Sequence, residues 1–214
     1  MKVEIDNWQD RGCIVGSGSG AHEGLIIHGY GGCKEEILGL AVGLAARLPL
    51  KLLVFDLPGH GDAAKEPLTL AAARDAVATA AAVLDNPAFF VGHSLGARIG
   101  LLSGLEMAVC ISMPGAARFK GSRTELLRTL RARRVNEVAP LSGLVEVLEN
   151  GAAPAARTLL LCAGRELESV TDLAAAWRKQ GIPCRQIKDS SHNDIVSAHE
   201  TREASAGWLK DNLN

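Results

Sequence analysis

The chain has 214 residues, of which 47% are hydrophobic and 22% charged, with a formal net charge of −1. One domain with a full core fits that length, and the near-neutral balance argues against a nucleic-acid partner. Five widely spaced cysteines (Cys13, Cys33, Cys110, Cys162, Cys184) without a C-x-x-C pair, with neither a signal peptide nor a membrane-length apolar run, point to reduced thiols in a cytoplasmic protein with no membrane partner.

Strand-like and helix-like segments alternate from the start. Residues 2–7 and 12–16 suit an opening antiparallel pair turning near Arg11. The apolar run at 24–27 reads as a buried strand and leads into His28-Gly29-Tyr30-Gly31-Gly32. A helix is predicted over 33–48, stopped by Pro49. The next strand, 51–55, runs into Asp56-Leu57-Pro58-Gly59-His60-Gly61-Asp62. The Ala-rich stretch 69–84 reads as a helix capped at or beside Thr69. A strand at 88–91 meets Gly92-His93-Ser94-Leu95-Gly96, followed by a helical segment at 97–105. Beyond it come a strand at 107–112, helical pieces at 122–133 and 141–149, and a strand at 158–162. A helix at 172–180, a short strand at 185–187 and a closing helix to about Leu213 complete the chain. Arg128, Arg131, Arg133 and Arg134 suit the solvated face of one helix. Strands read as uniform apolar runs imply a mostly parallel central sheet with helices on both faces, an α/β fold in one domain over 1–214. Ligands in such folds bind at the carboxyl ends of the strands, where the Gly-, His- and Asp-rich loops of this chain collect.

Gly92-His93-Ser94-Leu95-Gly96 is a G-x-S-x-G pentapeptide between a strand and a helix. Glycines at both ends let strand and helix approach closely, and the serine between them is held in a strained backbone conformation. A serine hydroxyl is a poor nucleophile until a base takes its proton.

Taken together, the loop at 28–32, the Asp56–Gly61 stretch, the Gly92–Gly96 elbow and a histidine after the last strand resemble the α/β-hydrolase fold superfamily over nearly the whole chain, in that family's order. The resemblance implies a nucleophile at Ser94 and a base at His192. For the acid it offers Glu166 or Glu168, depending on whether positions are counted from the strand start or from Gly164, with Glu166 favoured; a set lacking its acid is the third possibility. It also implies an oxyanion hole from the main-chain N–H groups of Leu95 and Tyr30, with Gly29 letting that loop fold back. His93 is assigned a packing or hydrogen-bonding role beside the serine, and His28 and His60 resemble loop-bracing residues. Residues 114–157, where many members insert a lid, hold two short helices here, so no large cap domain is expected.

The implied activity is hydrolysis of carboxylic ester or thioester bonds through an acyl-enzyme, on a small-molecule or carrier-borne acyl substrate. No metal or cofactor is implied, and the protein is expected as a monomer or homodimer. A non-catalytic binding protein of the same fold, and a C–C hydrolase or lyase on the same scaffold, are the alternatives.

Overall fold

The computed structural model describes residues 2–9, 11–17, 20–116, 141–150 and 153–213. Among them the strands are β1 (Glu4–Trp8), β2 (Gly12–Gly16), β3 (His22–Ile27), β4 (Leu50–Phe55), β5 (Pro87–His93), β6 (Met107–Ile111), β7 (Arg157–Arg165) and β8 (Cys184–Ser191). The helices are α1 (Lys34–Ala45), α2 (Leu70–Ala81), α3 (Leu95–Leu101), α4 (Leu141–Glu149), α5 (Glu168–Lys179) and α6 (His199–Asn212). One eight-stranded sheet runs β1-β2-β4-β3-β5-β6-β7-β8. β1–β2 and β2–β4 pair antiparallel, and every later neighbour is parallel. The mostly parallel sheet expected from the sequence is therefore present, with its antiparallel hairpin at one edge.

Side chains on a strand alternate between faces, and here both faces are covered. Leu25, Ile27, Leu53, Phe55 and Phe90 pack on one side with Ala73 and Val77 of α2, Ile99 of α3, Val147 of α4 and Trp177 of α5. Ile26, Leu52, Val54, Phe89 and Val91 pack on the other with Ile37, Leu40 and Leu44 of α1 and Leu209 of α6. Two buried faces are why β3 to β6 read as unbroken apolar runs. All five cysteines are unpaired. No described helix is long and apolar enough to cross a membrane.

Several boundaries differ from the sequence expectation, each for a local reason. α3 begins at Leu95, directly after Ser94, and has ended by Leu101, where Leu102 and Ser103 bond back to Ile99 and Gly100 in a tightening turn. α5 starts at Glu168 rather than near Asp172. β8 runs on to Ser191 through Lys188 and Asp189, because an edge strand exposes part of its length and needs no continuous apolar run. Thr69 caps α2 as expected, its Oγ1 accepting the Ala72 N–H at 3.1 Å. The helix expected at 122–133 and the arginines at 128, 131, 133 and 134 lie outside the described residues, as does most of the expected lid; α4 is the described helix of that region.

Arg98, one turn into α3, is 2% exposed. Among the described residues its guanidinium makes four hydrogen bonds, all to main-chain carbonyls: Val147 (3.3 Å), Leu148 (3.0 Å), Pro114 (3.0 Å) and Asn150. Val147 and Leu148 lie in the last turn of α4, where carbonyls lack helical partners, so the cation caps that helix. Arg98 thereby ties Pro114 and the end of α4 to the helix that follows Ser94. Substituting Arg98→Met keeps the stem but removes every donor. It should destabilise the fold by about 2–4 kcal/mol, read as a lower urea midpoint at unchanged m value. A loss below about 0.5 kcal/mol would show that the carbonyls do not depend on this side chain.

Candidate active site

β5 ends at His93, and Ser94 turns the chain into α3 with φ 51° and ψ −113°. Positive φ is costly for a residue with a Cβ, and the surroundings enforce it. The Ser94 N–H is bonded to Ile111 O at 2.8 Å, so the main chain is still pinned to β6 as it turns. A Cβ on Gly92 would lie 2.6 Å from the main chain of Ala97, and one on Gly96 would lie 2.3 Å from the His28 carbonyl oxygen. Only glycine at these two positions lets α3 settle against the ends of β5 and β3.

The carboxyl edges of three further strands complete the cluster. After β8, His192 enters a turn closed by Asp194, whose carboxylate accepts the Ser191 N–H. The imidazole is buried, with Nε2 3.0 Å from Ser94 Oγ and Nδ1 2.5 Å from Glu166 Oε1. The register between β7 and β8 slips between Ala163 and Arg165, and such a bulge re-aims the side chains that follow. Glu166 follows it, its side chain 1% exposed. Oε1 also accepts the Leu167 N–H at 3.0 Å, while Oε2 accepts the Ala163 N–H at 3.1 Å and the hydroxyl of Ser112. Burial by itself would raise this carboxyl group; the hydrogen bonds from His192, Ser112 and Leu167 outweigh it and hold Glu166 down to about 2. An ionised Glu166 accepts the Nδ1–H of His192, which favours the tautomer with Nε2 as the acceptor facing Ser94.

Of the two candidate carboxylates, Glu166 thus bonds the imidazole. Glu168 is exposed in the first turn of α5. Sequence reasoning missed Ser112. It stands directly after β6, with φ 47°, beside the strand that carries Glu166; its place at a strand's carboxyl end was the available signal.

Across the cleft, residues 29–32 form a tight turn in which the Gly32 N–H bonds Gly29 O at 3.1 Å. Gly31 supplies the positive φ of 76° that the turn's second corner requires, with Tyr30 at the first corner. Leu95 opens α3, so its N–H has no partner within the helix. Two buried histidines brace this side. His28 accepts the Leu57 N–H at Nε2 (3.0 Å) and donates from Nδ1 to Gly29 O (2.7 Å). Burial, assisted by the nearby His60, lowers it to about 4, so it stays neutral. His60 donates from Nδ1 to Pro58 O at 2.9 Å, and Tyr30 packs edge-on to it at 5.4 Å. The cleft has a volume of about 680 Å³ and is lined in part by Gly29, Tyr30, Ile37, His93, Ser94 and Val196. Among the described residues no three His, Cys, Asp or Glu side chains gather to hold a metal ion.

The fold and the elbow define a doubly wound α/β protein with a serine presented at a strand-to-helix turn. The profile of the Alpha/beta hydrolase family matches residues 25–207, and the chain belongs to that family. Among solved structures it is similar to TT1662 from Thermus thermophilus, at 18% identity and a TM-score of 0.67, covering 99% of this chain and 98% of that one. It is similar also to a thioesterase domain from the curacin biosynthetic pathway (17% identity, 99% of each chain, TM-score 0.62). A third is the epoxide hydrolase VrEH1 from Vigna radiata (12% identity, 98% of each chain, TM-score 0.65). At such identities the likeness is one of fold. A search of curated proteins finds no match.

The depressed carboxyl has a consequence for stability. Glu166 moves from an ordinary 4.5 to about 2 on folding, so its ionised form stabilises the native state above about pH 4.5, and that contribution is lost as the pH falls toward 2. Urea midpoints should therefore decline more steeply below about pH 4.5 for the wild-type protein than for Glu166→Gln. Parallel declines would show that the carboxyl group is not held low.

Proposed function

We propose that the protein is a serine hydrolase that cleaves carboxylic ester or thioester bonds through an acyl-enzyme. One observation carries this reading: Ser94 Oγ lies 3.0 Å from an imidazole nitrogen whose other nitrogen is held by a buried carboxylate at 2.5 Å. Ser94 Oγ attacks the substrate carbonyl carbon as its proton passes to His192 Nε2, and Glu166 stabilises the imidazolium so formed. The carbonyl oxygen becomes an oxyanion, for which the main-chain N–H groups of Leu95 and Tyr30 are the donors. His192 then protonates the departing alcohol or thiol. A water activated by His192 attacks the acyl-enzyme and releases the acid, restoring Ser94.

The cleft also speaks to the acyl group. Among the described residues, Ile37, Val196 and the Tyr30 ring are its apolar side chains, and the remaining lining is glycine, serine, histidine, asparagine and carboxylate. A buried methylene contributes about 0.8 kcal/mol, roughly fourfold in affinity, where an apolar channel receives it. Among the described residues these three side chains form no such channel, which favours short acyl groups on small or carrier-borne substrates.

A fluorophosphonate probe should label the wild-type protein at Ser94, with no labelling of Ser94→Ala and at least a hundredfold slower labelling of His192→Ala. Ester turnover should fall by about a thousandfold or more in Glu166→Gln. A folded wild-type protein that resists the probe would overturn the reading in favour of a binding protein on the same scaffold. On p-nitrophenyl esters, kcat/KM should stay level or fall as the acyl chain lengthens beyond about four carbons. A rise of about fourfold per methylene would reveal an apolar channel instead.

A further inference from the structure

We propose that His93, the residue before the nucleophile, is the positioning residue that sets the base against Ser94. This rests on the reading of Ser94 and His192 as nucleophile and base. The problem it answers is one of distance. β5 and β8 are three strand spacings apart in the sheet, about 14 Å at 4.8 Å per strand. Yet the side chains of the residues that directly follow them meet at 3.0 Å. The turn after β8 therefore folds back over the carboxyl edge of the sheet, and β8 is an edge strand with a single neighbour to hold it. The Ser94–His192 bond cannot be what keeps this turn in place, because that bond is consumed whenever the proton moves.

His93 supplies a tie that survives the chemistry. The residue is 9% exposed, and its Nε2 lies 2.7 Å from the main-chain carbonyl oxygen of His192. A carbonyl only accepts, so the His93 Nε2–H donates, whatever the charge on His192. The two imidazoles stand 5.3 Å apart, tilted by 48°, so the tie runs through the main chain of His192 and leaves its ring to Ser94 and Glu166. The ring is also held from behind. A Cβ on Gly29 would lie 2.7 Å from His93 Nδ1, so the glycine main chain of the 29–32 turn is packed directly against it. One side chain, rigidly attached to the last residue of β5, thus touches the turn across the cleft and the turn that carries the base. A misplacement of about 1 Å between reacting groups costs roughly a hundredfold in rate.

Three variants separate positioning from simple packing. His93→Leu fills the volume without a donor. His93→Gln places an amide N–H near the site of Nε2, and His93→Asn offers the same amide one methylene short of the carbonyl. His93→Leu and His93→Asn should lose about 10- to 100-fold in kcat and in the rate of fluorophosphonate labelling, with KM changed less than about threefold. His93→Gln should recover most of the loss. In proton NMR the low-field signal of the His192 Nδ1–H held by Glu166 should persist in His93→Gln and shift or broaden in the other two. Equal losses in all three variants with that signal unmoved would reduce His93 to packing and overturn the proposal, as would kcat within about threefold of wild type in His93→Leu. If the wild-type protein itself failed to react with the probe, the hydrolase reading would fall, while the NMR comparison would still decide whether His93 places the His192 ring.

Discussion

The geometry of the site depends on a backbone conformation that Ser94 would not choose. Its φ of 51° turns the chain sharply enough for the hydroxyl to stand clear of both β5 and α3. The surrounding contacts hold it there: the N–H pinned to β6, and helix and strand too close for any side chain at Gly92 or Gly96. Strain of this kind costs on the order of 1–3 kcal/mol. It persists because relaxing it would pull α3 off a core in which Ile99, Phe90 and Leu95 are almost fully buried. The eight-stranded scaffold thus keeps one serine in an unfavourable posture with its side chain at the cleft.

Once the serine is fixed, the sheet delivers the remaining groups in spatial order. Four neighbouring strands, β5, β6, β7 and β8, each place one residue just beyond their carboxyl ends: Ser94, Ser112, Glu166 and His192. Ser112 bonds Glu166, Glu166 bonds His192, and His192 returns to Ser94. Three hydrogen bonds therefore join the four residues in one chain over the edge of the sheet. Each contact fixes the next, and removing one leaves a buried polar group without its partner, which is the costly case in a low-dielectric setting.

How much of this was legible depended on what kind of force set each feature. The inner strands and the elbow were plain in the sequence, since burial on two faces demands apolar runs and a tight turn demands glycine. The start of α3 was read two residues late: Ser94 is an N-cap type of residue, but its side chain makes no capping bond and the helix begins there for reasons of sheet geometry. β8 was read short at its carboxyl end because its polar residues face solvent at an edge. That Glu166 and not Glu168 bonds His192 follows a register slip after Ala163, a property of two strands together. Arg98 gave no sign of burial, since its partners are carbonyls contributed by residues around 114 and 147–150, and a main-chain acceptor leaves no trace in residue identity.

The glutamate itself is best understood through that slip. A carboxylate one methylene longer than aspartate reaches further, so the main chain that bears it must sit further from the imidazole. Here a register slip precedes it, and both oxygens are used in full: Oε1 shared between His192 and the Leu167 N–H, Oε2 between Ser112 and the Ala163 N–H. With four donors converging, the carboxylate stays ionised despite burial that would otherwise favour its neutral form. A shorter side chain on the same backbone would give up one oxygen's partners to keep the other's.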